Sequence, residues 1–247
     1  MTVCNTLRTL AGMCLGFVAS AAWAGPPYLT DDPEPTETGH LENYVFVEAH
    51  GTGSAYGGAT GVEVNFGAVR DVQLTMVVPL AFEHASALGQ RQALGDIEIS
   101  AKYRFFHDEN AGVSAAVFPG ISLPTASTGL GAGRVTVFLP VWVQKDAGPW
   151  TIFGGGGYAI NPGSNNRDFW EGGVAVTREV SHRLSMGVEV HRHGPDAIDA
   201  RGETSLGLGV IYKMGGPFAL LGSAGPTFND AGGPASFHLF IALGIDL

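Results

Sequence analysis

The chain has 247 residues, with 13 lysines and arginines against 23 aspartates and glutamates and a formal charge of −10 at pH 7. That balance argues against a nucleic-acid partner, because a phosphate backbone calls for a basic surface. Only two cysteines occur, Cys4 and Cys14, so no disulfide framework is available downstream of them.

Residues 1–24 carry one positive charge, Arg8, an apolar run from about Leu10 to Ala22, and the small-residue site Ala22-Trp23-Ala24. This is the pattern of a secretory signal peptide, and the run is too short for a spanning helix. Met13 stands before Cys14 where a lipoprotein would carry a small residue, which argues against lipidation. Residues 25–40, GPPYLTDDPEPTETGH, are rich in proline and acid and do not pair easily in a sheet. They are expected to form a periplasmic N-terminal lead-in that either trails freely or tucks into the remainder of the chain as a partial plug.

From residue 41 to residue 247 the pattern is all strand, with the 37 glycines spread along the chain rather than gathered in a linker. Strands are expected near 41–50, 58–67, 71–82, 96–106, 113–123, 135–145, 150–160, 169–180, 184–193, 203–212, 217–225 and 236–247. Most exceed the usual globular strand of roughly 5–6 residues and match a tilted strand crossing a bilayer. Short links at 68–70, 107–112, 146–149, 181–183 and 213–216 alternate with longer ones at 51–57, 83–95, 124–134, 161–168, 194–202 and 226–235. Tight turns on one side, longer loops on the other and an even strand count describe an outer-membrane barrel.

Side-chain parity supports this. In GDIEISAKYRF, Asp96, Glu98, Ser100, Lys102 and Arg104 share one face and Ile97, Ile99, Ala101, Tyr103 and Phe105 the other. The last strand carries Phe237, Leu239, Ile241, Leu243, Ile245 and Leu247 on a single face. Lipid covers such faces without a second protein layer, and closing the sheet satisfies its edges. A secreted β-sandwich is the competing reading, and strand length and loop alternation weigh against it. Leu247 stands where outer-membrane strands commonly end in an aromatic residue. The expected fold is therefore an all-β, transmembrane, antiparallel up-and-down β-barrel of about 12 strands.

The ordered segments GHLENYVFVEAH, VEVNFGAVRDVQLTMVVPLAFE, GDIEISAKYRFF, VFPGISLPTAS and LPVWVQKDAGPWTIFGGGGYAINPG resemble the outer-membrane transporter family of the MetA pathway of phenol degradation. The resemblance runs from about Gly39 to Leu247. It implies an outer-membrane barrel for uptake of small, often aromatic or hydrophobic compounds, and it identifies a strand framework rather than a reactive centre.

By parity Glu42, Glu48, His50, Glu63, Asn65, Gln73, Asp96, Glu98, Lys102, Arg104, Glu189 and His191 are expected to line the lumen and form the candidate solute path. Lys102 and Arg104 adjoin Asp96 and Glu98, so much of this charge is expected to neutralise itself, and the excess carboxylates favour cations and neutral solutes. Glu189, His191 and His193 alternate along one strand, roughly 7 Å apart, too far to converge on a metal. Ser236 and His238 share a face but lack a third partner for hydrolytic chemistry. Gly154–Gly157 is no phosphate loop, since no Lys-Ser/Thr pair follows. Trp142, Trp150, Tyr103, Phe105, Tyr212 and Phe218 are expected in an interfacial girdle, whereas Tyr44, Phe46 and Phe138 are candidates for the lumen. The expectation is a passive channel, not an enzyme, with no cofactor and no metal. Its expected partners are outer-membrane lipid, a small-molecule solute and the barrel-assembly machinery. A barrel-type enzyme and a closed structural or adhesive barrel are the alternatives.

Overall fold

The computed structural model describes residues 27–52, 55–85, 89–127 and 129–247, so the leader read at residues 1–24 lies outside the described residues. Fourteen strand segments follow residue 40: β1 Leu41–Thr52, β2 Ala55–Val69, β3 Val72–Ala85, β4 Gly89–Leu94, β5 Ile97–Asp108, β6 Val113–Val117, β7 Gly120–Leu123, β8 Thr136–Ala147, β9 Trp150–Ile160, β10 Phe169–Ser181, β11 Leu184–His193, β12 Glu203–Gly215, β13 Phe218–Asn229 and β14 Ser236–Asp246. No helix forms among the described residues.

The segments make twelve staves. β3 pairs with β4 through Leu80–Ala85 and with β5 through Val72–Val77, so β4 and β5 are one stave interrupted at Gly95 and Asp96. β6 and β7 are likewise one stave, interrupted at Phe118 and Pro119, because both lie between β5 and β8. Every other pairing joins chain neighbours, all antiparallel, and β1 pairs with β14 to close the sheet. At that seam the Leu41 and Leu247 backbones exchange hydrogen bonds of 2.8 and 2.9 Å. Closure leaves no strand edge exposed, which a hydrocarbon environment requires.

The outward face is apolar along each stave. Val45 and Val47, Leu74, Met76 and Val78, Leu139, Val141 and Val143, Val188 and Val190, and Leu206 and Leu208 all stay solvent-accessible. In a water-soluble protein such a continuous band would be an aggregation surface, and in a bilayer it is the lipid contact. Tyr103, Phe105, Trp150, Tyr212 and Phe218 stand on it near the short turns, as the girdle reading expects. Trp142 does not. It is 3 % exposed and shares the inner face of β8 with Phe138 and Pro140, because Leu139, Val141 and Val143 hold the outer parity.

The wall is taller than the sequence suggests. β2 begins at Ala55 and β3 runs to Ala85, pairing Tyr56 with His84 and Gly57 with Glu83. β4 occupies much of the stretch read as the link 83–95, and β13 continues to Asn229. These ends are rich in glycine and polar residues, so they lack apolar alternation although their backbones remain in the ladder. At the opposite end the turns are tight. Asp71 closes the turn between β2 and β3 with φ 62°, a left-handed conformation that Asp tolerates better than most residues.

Candidate functional site

The inner face is polar, and residues 27–40 lie against it inside the barrel. This segment contains no strand, as its prolines dictate, and satisfies its polar groups on lumenal side chains instead. Thr38 bridges to Gly67, and Gly39 N–H donates to the Gly67 carbonyl at 2.7 Å, fixing the segment near the short-turn end. A side chain at Gly67 would overlap the Glu37 backbone, so glycine is needed for this approach.

Further along the segment, Thr36 N–H donates to Gln73 Oε1 at 2.7 Å, and Thr36 Oγ1 donates to Glu42 Oε2 at 3.2 Å. Gln73 Nε2 donates in turn to Asn65 Oδ1 at 2.8 Å, forming a buried amide and hydroxyl network with Thr75. Lys102, only 1 % exposed, places Nζ 3.0 Å from Asp31 Oδ1 and 3.7 Å from Asp32 Oδ1, and also donates to the Glu34 carbonyl at 3.3 Å. Arg104 pairs with both Glu34 and Asp71. Near the middle of the lumen, Glu189 accepts the backbone N–H groups of Leu29 at 3.1 Å and Thr30 at 2.5 Å, and Ser223 Oγ donates to the Pro27 carbonyl. The Tyr28 ring lies over Gly187 and Gly209, which face each other across β11 and β12 and where any side chain would overlap it. Burial, with Glu189 nearby, raises the Tyr28 phenol well above its ordinary range.

Two open regions flank the segment. Towards the long loops a cavity of about 490 Å³ is lined by Glu48, His50, Glu63, Glu98, Glu171 and His238, with Phe240 and Phe118 among them. Towards the short turns a cavity of about 370 Å³ is lined by Asp32, Glu34, Gln144, Asp146, Glu179 and Lys213. Tyr28 and Asp32 bound the second space, and Tyr28 and Asp31 the first, so the segment stands between them.

The twelve side chains expected in the lumen fall into three groups. Glu42, Asn65, Gln73, Lys102, Arg104 and Glu189 hold residues 27–36, directly or through one intermediate. Glu48, His50, Glu63 and Glu98 line the long-loop cavity, and His191 lies deeper, with Nε2 3.4 Å from Glu171 Oε1. Asp96 is tied to the loop 124–135, accepting the N–H groups of Ala126 at 2.9 Å and Ala132 at 2.7 Å. The neutralisation of Lys102 and Arg104 by Asp96 and Glu98 therefore does not occur: their partners are Asp31, Asp32, Glu34 and Asp71. The His193 ring packs at a tilt of 39° against Phe169, centroids 4.4 Å apart, and His238 Nδ1 lies 3.3 Å from Thr227 Oγ1. Glu171 and Ser223 were not among the expected lumenal residues. Parity with the inward Gly173 and Ala175 identifies Glu171, and parity against the outward Phe218 and Leu220 identifies Ser223.

The family described as "Putative MetA-pathway of phenol degradation" matches residues 37–238, most of the chain. The chain belongs to this family. The resemblance read from the strand framework is thus confirmed, and the match begins within residues 27–40 and covers nearly the whole barrel. The fold recurs in solved structures. The COG4313 outer membrane channel from Pseudomonas putida F1 superposes with a TM-score of 0.72 at 18 % identity, covering 87 % of this chain and 98 % of that one. The NanC porin gives 0.59 at 10 % identity, covering 84 % and 100 %. No curated protein sequence matches the chain.

Proposed function

We propose that the protein is an outer-membrane channel for passive passage of small solutes, with residues 27–40 as a plug that occupies the lumen. The observation that carries this reading is a closed wall, apolar outside and polar inside, whose interior is filled by a segment that is not part of the wall. A barrel stabilised only as an anchor gains nothing from a charged lumen, because buried ionic groups cost desolvation that an apolar filling avoids. A polar lumen is what a water-soluble solute needs. Residues 1–24 serve as the cleaved export signal, the short turns face the periplasm and the long loops face outward.

The excess of carboxylates in the outward cavity favours cations and neutral molecules over anions. The family's link to phenol degradation, together with Phe46, Phe118, Phe138 and Phe240 on the inner face, supports small aromatic compounds as one class of solute. Solute flux into liposomes carrying the refolded protein tests this, with a small sugar, phenol, and matched cations and anions as solutes. Flux of sugar and phenol above that of boiled protein, with cations faster than anions, is expected. A folded barrel that passes nothing, with or without residues 27–36, would overturn the channel reading and leave a structural barrel.

A further inference from the structure

We propose that the outward cavity is a binding site for a protonated organic amine, an ammonium group carried on an aromatic or other apolar body. This rests on the channel reading and deepens it by naming a solute class that the chamber holds.

Four carboxylates, Glu48, Glu63, Glu98 and Glu171, face the cavity of about 490 Å³. Glu63 accepts a 2.8 Å hydrogen bond from Asn65, but Glu48 and Glu98 form no hydrogen bond or ion pair with any described residue. The cation on this lining, Lys102, is committed to Asp31 and Asp32. Glu48 and Glu98 thus have no basic partner among the described residues, and Glu171 has His191 Nε2 at 3.4 Å.

A second, separate observation comes from β14. His238 lines the same cavity at 8 % exposure, and its Nε2 has no hydrogen-bond partner. Nδ1 lies 3.3 Å from Thr227 Oγ1; in the tautomer that carries its proton on Nδ1, Nε2 presents an unused lone pair, and a buried polar atom left unpaired costs stability until a ligand satisfies it. Two residues further along the same face of β14, Phe240 stacks on Phe46 with centroids 6.1 Å apart, and both rings border the outward space.

These features select among ligand classes. An anion meets four carboxylates. A neutral apolar molecule leaves the carboxylates and the imidazole without partners. A divalent metal ion needs ligands that converge, and no three histidine, aspartate or glutamate side chains among the described residues do so. An alkyl- or arylammonium ion suits dispersed carboxylates, a lone-pair acceptor and aromatic faces at once, and its apolar body fills the space between them.

The test is isothermal titration of the full chain, folded in detergent, with benzylamine, benzyl alcohol, benzoate and magnesium chloride. Saturable benzylamine binding is expected, about tenfold or more tighter than benzyl alcohol, with no binding of benzoate; Glu48→Gln and Glu98→Gln should each weaken it about tenfold. Heat-dependent gel migration verifies that each variant is folded. Should one variant misfold, the other and the amine-to-alcohol contrast in the unaltered chain still decide. Equal affinity for the alcohol, insensitivity to both substitutions, or saturable magnesium binding in place of the amine would overturn the proposal. Sugar flux through the same protein reports the channel reading separately: flux without amine binding removes only this inference, and amine binding without flux of any solute removes only the channel.

Discussion

Replacing Lys102 with methionine removes the charge that Asp31 and Asp32 share while keeping the length of the stem. Lys102 is 1 % exposed, whereas the Asp31 and Asp32 side chains keep 23 % and 10 % of their accessible surface. Breaking a buried ion pair by removing one partner costs about 3–5 kcal/mol. Partial exposure of Asp31 lets water screen some of this, so the lower end applies. Because the plug is not part of the wall, the cost falls on docking of residues 27–36 rather than on closure of the barrel. At about 1.4 kcal/mol per tenfold, the ratio of docked to undocked plug falls roughly a hundredfold. Thr30 is 1 % exposed and reports that ratio directly. In a background with Cys4 and Cys14 changed to serine, Thr30→Cys supplies a single thiol whose maleimide labelling rate follows the undocked fraction. Lys102→Met should speed labelling about a hundredfold, and adding Asp31→Asn should recover part of the protection by removing one stranded carboxylate. Labelling within threefold of the parent, in a barrel that still migrates as folded, would refute the assignment of Lys102 as the plug's anchor.

Gly209→Ala places a methyl group in the Tyr28 ring, so it should also speed Thr30→Cys labelling, and Tyr28→Ala in the same chain should restore space and slow it again. In liposomes with brominated lipid, Trp142→Phe should raise the quenched fraction of tryptophan fluorescence, because Trp142 faces the lumen. Trp150→Phe should lower it, because Trp150 is on the lipid face. Hydrogen bonding from Arg192 holds the Asp230 carboxyl below the usual carboxylate range. A depressed folded value means that this tie between β11 and the loop after β13 is complete above the unfolded carboxylate pKa of about 3.9 and is lost as the pH falls through the lower folded value. Pepsin cleavage within 230–235 should therefore increase sharply only towards the acid end, whereas Asp230→Asn should already be cleaved faster at pH 4.

Much of the wall was legible because a barrel strand repeats every two residues and the solvent on each face differs. Val72 to Phe82 and Phe237 to Leu247 reveal their lipid side without any tertiary information. Pairing at 55–57 and 83–94 was not legible, since Gly57, Gly58 and the polar run around Gln90 and Gln92 carry no alternation and are held by the ladder alone. Tyr44 and Phe46, lumen candidates that were not assigned by parity, are buried on the inner face of β1 beside Glu42, and parity applied to β8 turns Trp142 inward as well. What no local pattern contained was the partner of Lys102. Asp31 lies 71 residues away in a stretch that cannot form a strand, and its contact with Lys102 exists only because the closed barrel encloses both. Proline and acid in 27–36 correctly excluded a stave, but the acids are complementary to a lumen whose geometry emerges only after twelve staves close.

The most direct test of the plugged-channel account is planar-bilayer conductance of the intact chain beside a chain lacking residues 27–36. The deletion should keep the heat-modifiable barrel, raise the time-averaged conductance severalfold or more and pass potassium in preference to chloride. Equal conductance of the two proteins would contradict the plug, and silence of both, in verified folded barrels, would contradict the channel.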